Sequence, residues 1–471
     1  MRSTKVKKQR FFNGVDIIDT ADEGMAIGRC EDGLIIQVWG AIPGDKVDVL
    51  AIEKRKGMFI TKVIDVSTYS ADRAQPFCSH FGICGGCKWQ HMGYAAQLHY
   101  KEKRVRDAYR RIGELDQSLI KTIVGAPLQT YYRNKMEFTA SDRRWLNEEE
   151  MKHQDTIENK DGIGFHLSGA FDKVLDIQHC YLQAEPSNDI RHFVKNICKE
   201  NGWPFANLKH KTGFIRNLIC RNNLEGEWMI VLVVGENDQE KINILVKSLS
   251  RAFPKIISIY SCINLKVNDS IHDLPVRLEF GDDGLKEKMG PAIFKIGPKS
   301  FFQTNSMQAN SLYSIAKEMA TLKKEDNVYD LYCGVGSLGL FMADQCRQVV
   351  GIEQIPEAVT DARFNAELNG LTNTHFIAGQ VELLLDPGFI ETYGKPDVIL
   401  TDPPRAGMHP DVITHLTASG ADRIVYVSCN PATQARDLKM LSHDYRLISA
   451  IPVDMFPHTH HIECVALLKR I

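Results

Sequence analysis

The sequence predicts an α/β protein with three parts: a small N-terminal β-barrel, an α+β central domain and a doubly wound parallel sheet at the C-terminal end. Three observations support this. From Phe301 onward, short apolar strands (residues 327–331, 349–353, 397–402 and 423–428) end in polar turns and lead into helical runs, the pattern of a parallel sheet covered by helices. Between residues 24 and 66, β-type runs (24–28, 33–38, 59–64) alternate with turns such as Pro43-Gly44-Asp45-Lys46, which suits a barrel of about 60 residues. Residues 124–296 mix strand-like runs (229–234, 256–260) with helix-like ones such as 190–200. The expected domains are 1–67, 68–298 and 299–471.

A chain of 471 residues holds two to four domains. With 44% hydrophobic and 25% charged residues it has the balance of a soluble globular protein, which argues against disorder and repeat arrays. No apolar run reaches the roughly 18 residues of a membrane span. The first ten residues carry Arg2, Lys5, Lys7, Lys8 and Arg10 but no hydrophobic stretch follows, so a secretory signal is not expected and a cytoplasmic location without a membrane partner is. That basic stretch reads as a solvated terminus or a nucleic-acid arm. Twelve cysteines in such a chain point to metal-binding or catalytic thiols rather than disulfides. The net charge of −2 says little, because the cations are clustered.

After the barrel, Cys78, Cys84 and Cys87 have C-x5-C-x2-C spacing, which points to a metal. A fourth ligand must come from elsewhere, and spacing does not separate zinc from an iron–sulfur cluster. Residues 94–111 read as a helix with Lys101, Lys103, Arg104, Arg106, Arg110 and Arg111, which is either one solvated face or an RNA-facing surface. Residues 148–160 are polar and acidic, an expected exposed loop.

In the C-terminal part, Asp330-Leu331-Tyr332-Cys333-Gly334-Val335-Gly336-Ser337-Leu338-Gly339 follows a strand and opens a helix. Its glycines permit a tight turn and close backbone approach to a ligand. Glu353, 19 residues after Gly334, ends the next strand, where a carboxylate can accept both hydroxyls of a ribose. Gly339 leaves a dinucleotide open on spacing alone. Asp330 argues against a phosphate and for a cationic ligand such as S-adenosylmethionine (AdoMet). Asp402-Pro403-Pro404-Arg405 lacks the aromatic residue that follows such a turn in amino-methylating enzymes. Cys429, in Ser428-Cys429-Asn430-Pro431, is either a buried small residue or a nucleophile aimed into the pocket. Glu463, after His458-Thr459-His460-His461-Ile462, starts the closing strand and is a candidate base; the histidines alone would also allow a metal site.

These five motifs, counting Ser300-Phe301-Phe302-Gln303-Thr304-Asn305, occur in an order that resembles the RNA 5-methyluridine (uracil-C5) methyltransferases. The resemblance is to the ribosomal-RNA type, which joins a Rossmann-like methyltransferase domain to an N-terminal TRAM domain, a small OB-like barrel, and an iron–sulfur cluster. It implies that Cys429 is the nucleophile and Glu463 the base. It implies AdoMet contacts from Gln303, Tyr332, Glu353, Gln380 and Asp402. It also implies a [4Fe-4S] cluster on Cys78, Cys84, Cys87 and Cys180, with Cys198 and Cys220 as alternatives to Cys180, and a basic helix that packs with the catalytic domain. The expected activity is methylation of uracil C5 in RNA, in a uridine of 23S ribosomal RNA, by a monomer. The alternatives are a uridine in the T-loop of tRNA, cytosine C5, a small-molecule substrate, or a non-catalytic RNA-binding factor. Cytosine enzymes carry a second cysteine beside the Pro-Pro turn, and Pro403-Pro404 has none.

Overall fold

The computed structural model describes residues 10–153, 157, 160–167, 170–207 and 209–471. Arg2, Lys5, Lys7 and Lys8, and residues 154–156 and 158–159 of the expected acidic loop, lie outside them. The chain divides into two compact units: residues up to Arg104 together with Phe456–His461, and Val105–Met455 with Ile462–Ile471.

The first unit opens with the expected barrel. Strands β1 (Phe11–Thr20), β2 (Ala26–Arg29), β3 (Ile35–Trp39), β4 (Lys46–Arg55) and β5 (Met58–Thr68) close in the order β1-β2-β3-β5-β4, with β4 pairing back onto β1. Closure follows from alternation: Val15, Ile17, Ile36, Val38, Val47 and Val49 point inward and are buried. Beyond β5 a coil carries the cysteine loop to Trp89, which is buried and donates its indole N–H to the Gly24 carbonyl at 3.1 Å. The Phe456–His461 strap completes this unit. The His458 carbonyl accepts from the Lys88 and Trp89 amides, and Gln97 Nε2 donates to the Trp89 and Met92 carbonyls.

The helix Tyr94–Ala108 forms where the sequence places it, but most of its cations serve neither of the two expected surfaces. Lys101 is fully buried and donates to the Phe456 carbonyl at 3.0 Å. Arg104 reaches the His460 carbonyl and Asp22, Lys103 pairs with Asp19, and Arg106 bonds the Gln117 and Ile120 carbonyls. Long cationic stems bury readily when a carbonyl or carboxylate receives the charged head. Local composition does not reveal those receivers.

The second unit holds two sheets. Strands β6 (Lys135–Ser141), β7 (Gly162–Leu167), β8 (Ala170–Asp176), β9 (Ile215–Asn222), β10 (Trp228–Val234), β11 (Ile256–Ile263) and β12 (Arg277–Gly281) form a mixed sheet in the order β12-β11-β10-β9-β6-β7-β8. A hairpin, β13 (Leu285–Met289) and β14 (Ala292–Ile296), follows. Strands β15 (Asn327–Leu331), β16 (Gln348–Glu353), β17 (Thr374–Ala378), β18 (Val398–Thr401), β19 (Arg423–Ser428), β20 (Tyr445–Val453) and β21 (Glu463–Arg470) then form the doubly wound sheet, ordered β17-β16-β15-β18-β19-β21-β20. The strands from β15 to β19 run parallel and β21 is antiparallel to β19. The order reverses between β15 and β18, and ligands of such sheets sit at that switch point, beyond the strands' carboxyl ends. Val105 and Tyr109 enter the core of this sheet, and the Tyr109 hydroxyl donates to Gln434 at 3.0 Å.

Candidate active site

Strand register assembles the site. Leu331 lies opposite Ile352 on one side and Thr401 on the other, so the next residues out, Tyr332, Glu353 and Asp402, leave the sheet side by side. Glu353 pairs with Ala378, which puts Gln380 two residues past the same edge. Ser428 pairs with Cys464, so Cys429 and Glu463 are the next antiparallel pair outward. Residues from positions 332 to 463 thus meet through backbone hydrogen bonds alone.

The glycine turn runs along this edge. Tyr332, Gly334 and Gly336 have φ of 62°, 54° and 79°. The Gly339 amide donates to Asp330 Oδ2 at 2.9 Å. Glu353 accepts from the amides of Gly334 at 3.1 Å and Ile355 at 2.9 Å, one on each carboxylate oxygen. A Cβ on Gly334 would meet nothing within 4 Å, so the turn opens on free space, as a ligand cradle requires. Burial pushes the Asp330 carboxyl up to about 7, with the charges of Asp402 and Glu353 adding and the Gly339 amide opposing. Burial alone pushes Asp402 up to about 7. Acidic groups held this close favour a cation over a phosphate, and AdoMet offers a sulfonium and an ammonium.

Gln303 comes from the loop before the helix Ser306–Ala320. The loop is fixed by residues far upstream that the sequence reading missed. Asn134 donates its side-chain amide to the Gln303 carbonyl and to Ser306 Oγ, each at 2.8 Å, and its backbone amide to the Thr304 carbonyl. Ser306 donates to the buried Glu287 at 2.7 Å, and Arg221 donates to the Ser300 carbonyl at 2.6 Å. The buried Tyr313 joins this loop to the glycine turn. Its hydroxyl lies 2.9 Å from Ser337 Oγ and bonds the Gln303 side chain. Asn134, Arg221, Glu287 and Tyr313 lie in no recognisable motif, so no local signal marks them.

Cys429 is half-buried on a turn locked by Asn430, whose side chain caps the next helix by accepting from the Ala432 amide, and by Pro431 in its first turn. Burial pushes its thiol up to about 11, and the charges of Glu463 and Asp402 act in the same direction. The Arg405 side chain opposes them by a hydrogen bond and its charge. Glu463 is buried and its carboxyl lies well above the usual range, through burial first and Asp402 second, again opposed by Arg405. The Arg405 carbonyl accepts from Asn430 Nδ2 at 3.0 Å and Thr433 Oγ1 at 3.2 Å, which ties the Pro403-Pro404 turn to the Cys429 turn. Cys333 is buried and its thiol is raised, mainly by burial, so it is a packing residue of the glycine turn.

In the first unit, Cys78, Cys84 and Cys87 are half-buried on one loop, and the Gly86 amide points at Cys84 Sγ across 3.5 Å. Thiols are the donor type a soft metal takes, and the Gly86 amide is directed at one of the three sulfurs. In the second unit, Cys180 is half-buried, and its amide and carbonyl are both bonded by Asn188. The alternatives Cys198 and Cys220 are fully buried with thiols raised by burial, the state of apolar core residues. Among the described residues, no three or more His, Cys, Asp or Glu side chains are gathered closely enough to hold a metal ion. That includes the histidines of the strap, where His460 and His461 stack with ring centroids 4.2 Å apart.

The comparisons agree with this geometry. Residues 245–386 and 389–471 match the family model of tRNA (uracil-5-)-methyltransferase. An RNA methyltransferase of Bacteroides thetaiotaomicron is 46% identical over 453 residues, 95% of this chain and 99% of that protein. One of Porphyromonas gingivalis is 46% identical over 463 residues, 97% and 99% of the two chains. Among solved structures, the tRNA (uracil-54, C5)-methyltransferase of Pyrococcus abyssi, in complex with S-adenosyl-L-homocysteine, superposes with a TM-score of 0.75 at 28% identity, over 96% of this chain and all of that one. With two relatives this similar over nearly its full length, and with the glycine turn, Cys429 and Glu463 on one edge of its sheet, the chain belongs to the RNA 5-methyluridine methyltransferase family.

Proposed function

We propose that this chain methylates C5 of uracil in RNA, with AdoMet as methyl donor, through a covalent adduct between Cys429 and C6, and that its target is a uridine of 23S ribosomal RNA. The observation that carries the chemistry is the β19–β21 register, which places Cys429 beside Glu463 next to the acidic cradle. Uracil C5 is a poor nucleophile. The Cys429 thiolate adds to C6 and makes C5 electron-rich, while Arg405 holds the negative charge of sulfur. C5 then bonds the methyl carbon, and the bond from the methyl carbon to the sulfonium sulfur breaks, leaving a neutral thioether. Glu463 removes the C5 proton, the C6–S bond breaks, and Cys429 leaves as thiolate. Tyr332, Glu353, Gln380, Gln303 and Asp402 hold the donor in this reading, with Glu353 on the ribose and Asp402 near the cationic end.

RNA carrying 5-fluorouridine tests the adduct. With AdoMet present, the protein should form a complex that survives denaturation, and Cys429→Ala should form none while still binding AdoMet. Absence of the complex in the wild type would favour a non-catalytic RNA-binding factor.

The ribosomal target rests on the resemblance of the barrel and cysteine loop to the ribosomal-RNA branch. We further assign Cys78, Cys84, Cys87 and Cys180 as ligands of a [4Fe-4S] cluster. The cluster would stabilise the fold around the loop, since methyl transfer needs no redox step. The protein would act in the cytoplasm as a monomer. A second reading, a tRNA T-loop uridine, is favoured by the Pyrococcus neighbour, which acts on tRNA and matches this chain from end to end. Ribosomal and tRNA transcripts with tritium at uracil C5 separate the two, because tritium is released only where the enzyme acts. Release from tRNA alone would overturn the ribosomal target and leave the chemistry standing.

A further inference from the structure

We infer that the first unit carries a pocket for one unpaired base of the RNA substrate, lined by Tyr69, Arg73, Phe81 and His91. The inference rests on reading the chain as an RNA-modifying enzyme. An open cleft of about 520 Å³ lies where the barrel turn at Gly40, the coil after β5 and the cysteine loop meet. Backbone bonds hold its walls: the Ala74 amide donates to the His91 carbonyl at 3.1 Å, and the Gly93 amide to the Asp72 carbonyl at 2.8 Å.

The lining suits a base better than a phosphate. Tyr69 is 67% exposed, yet the Arg73 guanidinium lies 5.3 Å from its ring centroid. Arg73 is itself fixed by a two-pronged pair with the buried Asp45, at 2.9 and 2.7 Å, and by the Gly40 carbonyl. Asp45 also accepts from the Ile42 and Ser70 amides. The result is an exposed aromatic face backed by a rigid cation, a platform for stacking. Arg73 is already paired with Asp45, so among the described lining residues no unpaired lysine or arginine is left for a phosphate.

His91 supplies the edge. It is only 6% exposed, and neither ring nitrogen has a hydrogen-bond partner of good geometry, although the Ala41 carbonyl faces the ring. Its ring centroid lies 5.1 Å from that of Phe81. Burial and the Arg73 charge push its pKa down to about 4, so the imidazole is neutral and offers one donor and one acceptor, as a base edge does. A buried polar ring whose carbonyl neighbour, Ala41, is poorly aligned gains from a ligand that completes its bonds.

The test uses the full chain and four single-stranded homopolymer RNAs (U, A, C and G), each against an abasic ribose-phosphate strand of the same length. Tyr69→Ala should weaken binding of base-bearing strands about tenfold and leave abasic-strand and AdoMet binding unchanged. His91→Phe should flatten the preference among the four bases. If His91→Phe fails to fold, Tyr69→Ala, at an exposed position, still decides. Equal losses on base-bearing and abasic strands would overturn the pocket in favour of a phosphate site. No loss on either would also overturn it, leaving the cleft to another molecule such as a protein segment. A wild type that binds RNA with this base dependence but methylates none would sink the proposed function and not the pocket.

Discussion

In the proposed mechanism the Cys429 thiol becomes a thiolate among groups that mostly resist it. Burial, Glu463 and Asp402 push Cys429 up to about 11, and only Arg405 pulls the other way. In that mechanism Glu463, also raised, is ionised before it takes the C5 proton. In the proposed mechanism both groups act in their deprotonated forms and both titrate above their ordinary values, so the single-turnover methylation rate should keep climbing through alkaline pH toward about 11, where the Cys429 thiol titrates. A flat profile would remove one of them from the mechanism. Glu463→Gln should still add Cys429 to C6 and transfer the methyl group, then stall. Protein–RNA adduct should accumulate on denaturing gels while turnover falls by roughly 10² to 10⁴. The acidic cradle has the opposite dependence on protons. Asp330 and Asp402 sit at about 7 in the unliganded protein, above the ordinary aspartate value of about 4. Their protonated forms therefore favour the fold, a contribution complete below about pH 4 and lost as pH rises through about 7. A bound cation replaces that contribution. AdoMet affinity should accordingly weaken below about pH 7, and calorimetry in two buffers should show protons released on binding.

Among the elements, the glycine turn and the strand beside it use glycine for two different reasons. A Cβ on Gly351 would stand 2.5 Å from the Phe376 ring and 2.9 Å from Cys333 Sγ. Gly351→Ala should therefore cost about 1–3 kcal/mol of stability by overpacking. Gly334, at φ +54°, has open space around it. Gly334→Ala should strain the turn by only about 1 kcal/mol but place a methyl group in the cradle. Thermal unfolding and AdoMet titration on both variants should show the larger loss of melting temperature for Gly351→Ala and the larger loss of AdoMet affinity for Gly334→Ala. The Tyr94–Ala108 helix shows the limit of reading an element by composition. Its cations looked like a surface, and Lys101, Lys103, Arg104 and Arg106 hold the protein's own carbonyls and carboxylates instead.

For the whole molecule, every candidate AdoMet and catalytic residue lies in the second unit, and the cysteine loop lies in the first. Protein purified without oxygen should contain iron and sulfide in near-equal amounts, and Cys84→Ser should lose both while AdoMet binding persists. Colourless protein with a single zinc would replace the cluster and keep the thiolate site.

The sequence alone determined the doubly wound sheet, the barrel, the glycine turn with Glu353, and the turns carrying Asp402, Cys429 and Glu463. Apolar strand periodicity and Gly or Pro punctuation are local signals, and each strand end names the residue it exposes. Only the tertiary structure decided which of these ends meet. Cys429 and Glu463 are neighbours because Ser428 pairs with Cys464, a register set by packing the closing strand between β19 and β20. Only the tertiary structure brought Asn134, Arg221 and Glu287 under the Gln303 loop and Tyr313 between Gln303 and Ser337. These residues act by completing hydrogen bonds for backbone and side chains up to 172 positions away, and a partner that distant leaves no periodicity in the chain to read.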